Sequence, residues 1–197
     1  MRLSFALLTL ALACSCAAAH QKERPALNEI DSRFGEGSGS FEAGAFQPDP
    51  RGSMVLSDGS RAVRGWIVQA VGGGARWVAA PNFPASDGKR ALDLNGARGS
   101  AVVCSIPTEN GAAYEISFDA YGGSRTGTGA VSAGTLMGEV FKVSGAEAGA
   151  PKFTRISHSF LALSDTTEIE IRGLAGGEVG PIIDNVQVSR VDEAGRR

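Results

Sequence analysis

Short segments in which every second residue is apolar recur along most of this chain. The clearest are 102–106, 114–120 and 167–171, and shorter candidates cover 65–71, 91–94, 137–143 and 156–163. A period of two places the apolar side chains on one face of a β-strand. No comparable helical pattern stands out, and glycine clusters separate many of the segments. The pattern predicts an all-β fold, a β-sandwich of jelly-roll type, over residues 38–191.

One glycine-rich segment, 122–134, has no clear alternation. It lacks the Gly-Lys-Ser/Thr ending of a phosphate-binding loop. We interpret it as a long flexible loop.

The first nineteen residues have the layout of a secretory signal: Arg2, then an apolar run from Leu3 to Ala13, then small residues up to Ala19. The run is shorter than the roughly 20 residues of a transmembrane helix. We therefore expect a signal peptide over 1–19, no transmembrane span, and a location outside the cell or in the cell envelope. The alternative is a lipoprotein signal, in which Cys14 would carry an N-terminal lipid anchor.

Residues 20–37 mix charges with proline and glycine, which predicts a linker with at most a short helical turn around 27–30. Residues 192–197 form a polar tail. Removal of the signal would leave Cys104 as the lone cysteine, so no intramolecular disulfide is expected. Cys104 lies in an alternating segment and is interpreted as a small core residue.

Charge and motif content exclude several classes of function. The net charge is −2 with only two histidines in 197 residues. A nucleic-acid partner is not expected, because it normally requires a basic face. No Gly-x-Ser-x-Gly motif occurs, and His158 has no companion histidine or cysteine, so we interpret it as a half-buried packing residue and expect no enzymatic activity.

An acid interrupts the apolar side of the last alternating segment. Asp184 falls on the same face of a regular strand as Ile182 and Val186. A buried carboxylate needs a cation or several hydrogen-bond donors. Glu42, near the start of the predicted domain, is the natural second oxygen ligand for a calcium ion. The alternative is that either acid accepts hydrogen bonds from turn amides.

Five segments, taken together, resemble a known family. In order they are Gly39-Ser40-Phe41-Glu42, Gly65-Trp66, Asp87-Gly88 with Leu92-Asp93-Leu94-Asn95-Gly96, 114–119, and 180–186. They resemble the choice-of-anchor C family, related to the plant cell-wall domain of unknown function 642. That family is similar to galactose-binding-like jelly rolls, many of which bind carbohydrate and carry a structural calcium. The resemblance implies a polysaccharide partner and favours calcium at Glu42 and Asp184.

Aromatic residues near arginines are candidates for sugar binding. Trp77 follows three glycines and Arg76, and Tyr121 precedes Gly122. An aromatic ring stacks on the apolar face of a sugar, while a guanidinium binds the hydroxyls. We therefore predict a carbohydrate site at Trp77, Arg76 and Tyr121. The alternative is that these rings are buried, as we expect for Trp66.

These observations predict an exported, non-catalytic surface module that binds polysaccharide and is stabilised by calcium. The alternative is a structural or adhesive envelope protein with a protein partner and no glycan.

Overall fold

The computed structural model describes residues 28–70, 73–94, 99–123, 126–134, 138–145, 151–174 and 181–191. This part of the chain forms a short helix and eleven strands. They are α1 (Glu29–Phe34), β1 (Ser53–Leu56), β2 (Ile67–Ala70), β3 (Ala75–Ala79), β4 (Arg90–Asp93), β5 (Ser100–Pro107), β6 (Ala113–Tyr121), β7 (Gly127–Ala133), β8 (Glu139–Val143), β9 (Thr154–Leu161), β10 (Thr166–Gly173) and β11 (Ile182–Arg190).

The strands pair antiparallel in two sheets. The six-stranded sheet has the order β1-β3-β4-β11-β6-β9, and the five-stranded sheet has the order β2-β5-β10-β7-β8. Within them, β4-β11-β6-β9 and β5-β10-β7-β8 are the two four-stranded halves of an eight-stranded jelly roll. The predicted all-β jelly-roll sandwich is confirmed.

The inner faces of both sheets meet in one apolar core. Ile116 and Phe118 of β6 and Ile169 and Ile171 of β10 are fully buried there. The residues between them point away from the core, as the period-two pattern predicts. The local alternation is therefore sufficient to assign the inner face of these central strands.

Three strands were not expected from the sequence pattern: β1, β3 and β7. The glycine-rich segment 122–134 contains β7, so its prediction as a flexible loop is wrong over Gly127–Ala133. At Gly129 an added Cβ atom would lie 2.3 Å from Cζ of Phe141. The strand thus needs glycine where the Phe141 ring lies against its backbone.

Helix α1 lies within the segment predicted as a linker. Asn28 caps it, since its Oδ1 accepts a hydrogen bond from the Ile30 amide at 3.2 Å. The same side chain accepts from the Val188 amide and donates to the Val186 carbonyl, both at 3.1 Å. Ile30 is fully buried in the core. Residues 28–37 therefore belong to the folded domain, and the linker prediction is wrong for them.

Other predictions lie outside the described residues: the signal peptide 1–19 with Cys14, the linker residues 20–27 and the tail 192–197. In the part of the chain that the structure describes, no helix has both the length and the apolar character needed to cross a membrane.

Candidate functional site

Asp184 lies at a β-bulge in β11. The pairing of β11 with β6 changes register directly after Asp184, and Asn185 has a φ of 51°. Ile183 faces the core before the bulge and Val186 faces it afterwards. Asp184 therefore lies on the outer face of the six-stranded sheet. The prediction that it shares the inner face with Val186 is wrong, because the bulge breaks the period of two.

Asp184 is nevertheless fully buried, because residues 86–90, here called the clamp loop, cover it. Its Oδ2 accepts hydrogen bonds from the amides of Ser86 at 2.7 Å and Asp87 at 2.9 Å, and its Oδ1 accepts from the Asn185 amide at 2.7 Å. Burial raises the pKa of Asp184 to about 7, although these hydrogen bonds oppose the rise. The ion pairs among the described residues include none to Asp184.

Glu42 holds the other end of the clamp loop. Its Oε1 accepts hydrogen bonds from the amides of Lys89 and Arg90, both at 2.6 Å. The Arg90 guanidinium donates back to the Glu42 carbonyl at 2.6 Å. Gly88 has a φ of +67°, and an added Cβ atom would lie 2.6 Å from Glu42 Oε1. One loop is therefore bound at both ends by carboxylates from distant parts of the chain.

Both acids accept hydrogen bonds from turn amides, the arrangement expected from the sequence as the alternative to a calcium site. Oxygen atoms are also the ligands that calcium prefers, but calcium takes 6 to 8 of them. Among the described residues, no group of three or more acids, histidines or cysteines is arranged to hold a metal. The two carboxylates fit calcium in chemical type, and backbone carbonyls and water would have to complete the shell. Calcium stays a prediction.

Trp77 lies on β3 in the core, not in a loop. It has no exposed surface, and its Nε1 donates to the Phe41 carbonyl at 3.0 Å. The Phe46 ring packs edge-on against it, with centroids 4.8 Å apart, and the Arg90 guanidinium lies 5.3 Å from its ring. The prediction that Trp77 stacks on a sugar is wrong, because no face of the ring reaches solvent.

Arg76 and Tyr121 lie in one row across the outer face of the six-stranded sheet, separated by Asp93 and Ile182. The Arg76 side chain is 43% exposed and pairs with Asp93 at 2.5 Å. Tyr121 is buried, and its ring packs against Phe153. The prediction that Tyr121 offers a free ring to a sugar is wrong. The structure does not bring the predicted carbohydrate residues together in one open site.

The outer face of the five-stranded sheet carries two adjoining grooves. The first, here called the hydroxyl groove, has a volume of about 670 Å³, and its lining includes Ser132, Thr166, Glu168, Glu170 and Arg172. The outward residues of β10 dominate it. The alternation in the sequence showed which residues of β10 lie on its polar face. No local sequence pattern showed that this face carries a groove.

The second groove, here called the arginine groove, has a volume of about 720 Å³. It lies between α1, the segment before β2, and β5. Its lining includes Arg33, Arg61, Arg64, Ser105 and Glu168, so the two grooves share Glu168. Sequence reasoning missed these arginines, because Arg33 is separated from the other two along the chain and no periodicity connects them.

Three further residues bear on the predicted chemistry. Trp66 is 2% exposed and its Nε1 donates to the Ser38 carbonyl at 2.9 Å, which confirms a core role. Cys104 is buried as predicted, and burial raises the pKa of its thiol. His158 is half-buried, and its Nδ1 lies 2.6 Å from Glu139 Oε2 on β8. It therefore contributes a polar contact in addition to the predicted packing.

The fold and these surfaces define a class of protein: an antiparallel jelly-roll sandwich with an open polar face on one sheet. A family model described as "Protein of unknown function (DUF642)" matches residues 37–189. The chain therefore belongs to the DUF642 family. The five segments of the sequence resemble the choice-of-anchor C family, to which this family is related.

Solved structures with a similar fold include carbohydrate-binding modules. TmCBM61 in complex with β-1,4-galactotriose is 16% identical, with a TM-score of 0.48 over 84% of this chain and 99% of that chain. The CBM22-1 xylan-binding domain from Paenibacillus barcinonensis Xyn10C is also 16% identical, with a TM-score of 0.46 over 77% and 98% of the two chains. These resemblances are distant. No match was found among curated proteins.

Proposed function

We propose that this protein is a non-catalytic module that binds polysaccharide across the outer face of the five-stranded sheet. The observation that carries the proposal is the pair of adjoining grooves that meet at Glu168. Together they cross several strands and give an extended ligand more than one binding position. The hydroxyl groups of a polysaccharide suit such a polar, open face.

The side chains of the hydroxyl groove suit sugar hydroxyls. Glu168 is exposed and can accept hydrogen bonds from two neighbouring hydroxyls, while Ser132 and Thr166 can both donate and accept. Hydrogen bonds to a charged group are about twice as strong as those between neutral groups. Glu168, placed where the grooves meet, is therefore the residue from which we expect the largest contribution to binding.

The carboxylates of this face are poorly arranged for hydrolysis. Glu168 and Glu170 are neighbours on the same face of β10, but Glu170 pairs with Arg172 at 2.6 Å. A glycosidase needs two carboxyl groups that both face the scissile bond. The Arg172 guanidinium occupies Glu170 Oε1, so Glu170 is engaged within the protein, which supports binding without catalysis.

The proposal is tested with the purified protein on arrays of plant, bacterial and animal polysaccharides, followed by calorimetry on the best ligand. Glu168→Gln should weaken binding about tenfold, the loss of one charge-assisted hydrogen bond. Glu115→Gln, on the outer face of the opposite sheet, removes the same charge and should leave the affinity unchanged.

Two results would change the interpretation. Equal losses in the two variants would place the ligand elsewhere on the molecule. No binding to any polysaccharide would overturn the proposal and favour the alternative, a structural or adhesive protein with a protein partner. Release of reducing sugar from a bound polysaccharide would contradict the non-catalytic role.

We also propose that a calcium ion stabilises the clamp loop at Glu42 and Asp184. The support is the fully buried Asp184 carboxylate, which has no cationic partner among the described residues. When bound, calcium would neutralise both acids. A ligand that binds only the folded state, present at 100 times its Kd, stabilises by about 2.7 kcal/mol.

Calorimetric titration of the chelator-treated protein tests the metal directly. We expect calcium to bind and to raise the melting temperature, and Glu42→Gln to abolish the binding. Magnesium at the same concentration is the control, because it demands a tighter octahedral shell. Absence of bound calcium in both titration and elemental analysis would leave a purely hydrogen-bonded clamp.

Export to the cell surface, as in the choice-of-anchor C family, also stays part of the proposal. Mass spectrometry of the mature N-terminus distinguishes a freely secreted chain beginning at His20 from one lipidated at Cys14. An intact Met1 would contradict export through this segment.

A further inference from the structure

Three arginines converge on the arginine groove from separate parts of the chain. Arg33 lies in the last turn of α1, and Arg61 and Arg64 lie in the segment that leads into β2. All three side chains are exposed, and they line the same cavity. Three like charges on one groove repel one another, so the folded protein gains nothing from their proximity.

These arginines differ from most of the other arginines in the described part of the chain. Arg76, Arg90, Arg155 and Arg172 each pair with an aspartate or glutamate. Arg33, Arg61 and Arg64 form no ion pair and no side-chain hydrogen bond with any described residue.

Among the described residues, one aromatic ring lies near these guanidinium groups: the centre of the Phe34 ring is 5.9 Å from the Arg33 guanidinium. Guanidinium groups bind carboxylates, sulfates and phosphates in a bidentate manner. The groove therefore presents to solvent guanidinium donors that bind no other described protein group.

The opposite side of the groove has a different character. Glu168 is the one acidic side chain in its described lining, and Ser105 contributes a hydroxyl. Glu168 would repel a ligand that is uniformly anionic, but it accepts hydrogen bonds from neutral hydroxyls. A sugar that carries one acidic substituent and several hydroxyls matches both sides of the groove.

We propose that the arginine groove binds acidic sugar units, with the anionic substituent on Arg33, Arg61 and Arg64 and the ring hydroxyls on Ser105 and Glu168. This inference rests on the proposed polysaccharide-binding function and narrows its ligand to glycans with carboxylate or sulfate groups. The neutral part of the same polysaccharide would continue past Glu168 into the hydroxyl groove.

Calorimetry with matched polysaccharides tests the inference. We compare polygalacturonate with its methyl-esterified form, and a sulfated galactan with the desulfated polymer, at low and physiological salt. The acidic member of at least one pair should bind about tenfold more tightly, as expected for charge-assisted hydrogen bonds. The two pairs show whether carboxylate or sulfate is preferred.

Arg64→Gln should reduce binding of the acidic polymer about tenfold and reduce binding of the neutral polymer by a much smaller factor. Arg51→Gln is the matched control, because Arg51 is exposed and is not part of the groove lining. Circular dichroism and melting temperatures of both variants confirm that they fold. Equal effects of the two variants would indicate only a general charge effect and would overturn the inference.

The outcomes separate this inference from the function on which it rests. Equal binding of acidic and neutral members of both pairs would overturn the acidic-sugar inference and keep the polysaccharide function. No binding of any polymer would overturn both. Equally tight binding of heteropolymeric RNA, lost in Arg64→Gln, would show a nonselective anion site instead of a sugar site.

Discussion

Asp184 is a buried acid whose ionisation works against folding when no cation is present. Burial raises its pKa to about 7 in the folded protein, whereas an aspartate in an unfolded chain has a pKa of about 3.9. Between these values the folded protein holds a proton that the unfolded chain has released. The contribution of this group to the free energy of unfolding is therefore complete below about pH 4 and is lost as pH rises towards 7.

We predict that in chelator the free energy of unfolding of the wild type, relative to Asp184→Asn, falls by as much as about 4 kcal/mol between pH 4 and 7, since each pKa unit corresponds to 1.36 kcal/mol. Denaturant titrations at several pH values measure it. With saturating calcium the difference should become flat, because the ionised form is then stabilised. A flat difference in chelator as well would show that the hydrogen bonds of the clamp loop alone keep Asp184 ionised.

Gly88 is required for two separate reasons, and a control can separate them. Its φ is +67°, and an added Cβ atom would meet Glu42 Oε1 at 2.6 Å. Gly59 has a similar φ of +74°, with no atom within 4 Å of the added Cβ. Gly59→Ala should cost about 1 kcal/mol of stability for the backbone conformation alone.

Gly88→Ala should cost at least about 1 kcal/mol more than Gly59→Ala, because the methyl group also displaces the Glu42 carboxylate from two amides. Urea denaturation of both variants gives the comparison. Equal costs would mean that the clamp loop moves aside and that the contact with Glu42 contributes little.

At the scale of secondary-structure elements, α1 is held to the sandwich by its cap. The Asn28 side chain accepts hydrogen bonds from the amides of both α1 and β11 and donates a third to a β11 carbonyl. Ile30 then fills a position in the core. A helix of only six residues is not stable by itself, so these tertiary contacts are what keep it folded.

We predict that Asn28→Ala lowers the free energy of unfolding by about 1–3 kcal/mol, since it removes a cap and two bonds to β11. Ser32→Ala, at an exposed position of the same helix, should change it by less than about 0.5 kcal/mol. Thermal and urea unfolding measure both variants. If neither variant has an effect, residues 28–37 act as the linker that the sequence indicated.

At the scale of the whole molecule, the jelly roll places its most protected strands in the middle of each sheet. Strand β11 lies between β4 and β6, and β10 lies between β5 and β7. Strands β1, β9, β2 and β8 are the sheet edges. The contact of His158 with Glu139 joins two of these edges, β9 and β8, across the sandwich.

We predict that hydrogen exchange is slowest in β10 and β11 and faster by at least about tenfold in β1 and β2, because edge strands open without global unfolding. Mass spectrometry of peptides after deuterium labelling measures the order. Glu139→Gln should accelerate exchange in β8 and β9 and leave β1 unchanged. Uniform exchange across all strands would mean that the sandwich opens only as a whole.

By itself, the sequence determined the fold class and the faces of the central strands. The alternation in β6 and β10 depends on neighbouring residues only, and burial follows it: Phe118 and Ile169 are inside as predicted. The sequence also identified Glu42 and Asp184 as a linked pair of acids. It did so for a partly mistaken reason, since the bulge after Asp184 turns that side chain outward.

Only the tertiary structure decided which surfaces are open to a ligand. Trp77 follows a run of glycines and Tyr121 precedes one, yet both are buried. Trp77 lies in the core, and the Tyr121 ring packs against Phe153. Arg33 and Arg64 are far apart in sequence and line one groove. The exposure of a side chain, and whether distant residues line the same groove, depend on strand register and on which segments cover each face of the sheets. These are long-range properties, and no local pattern of residues records them.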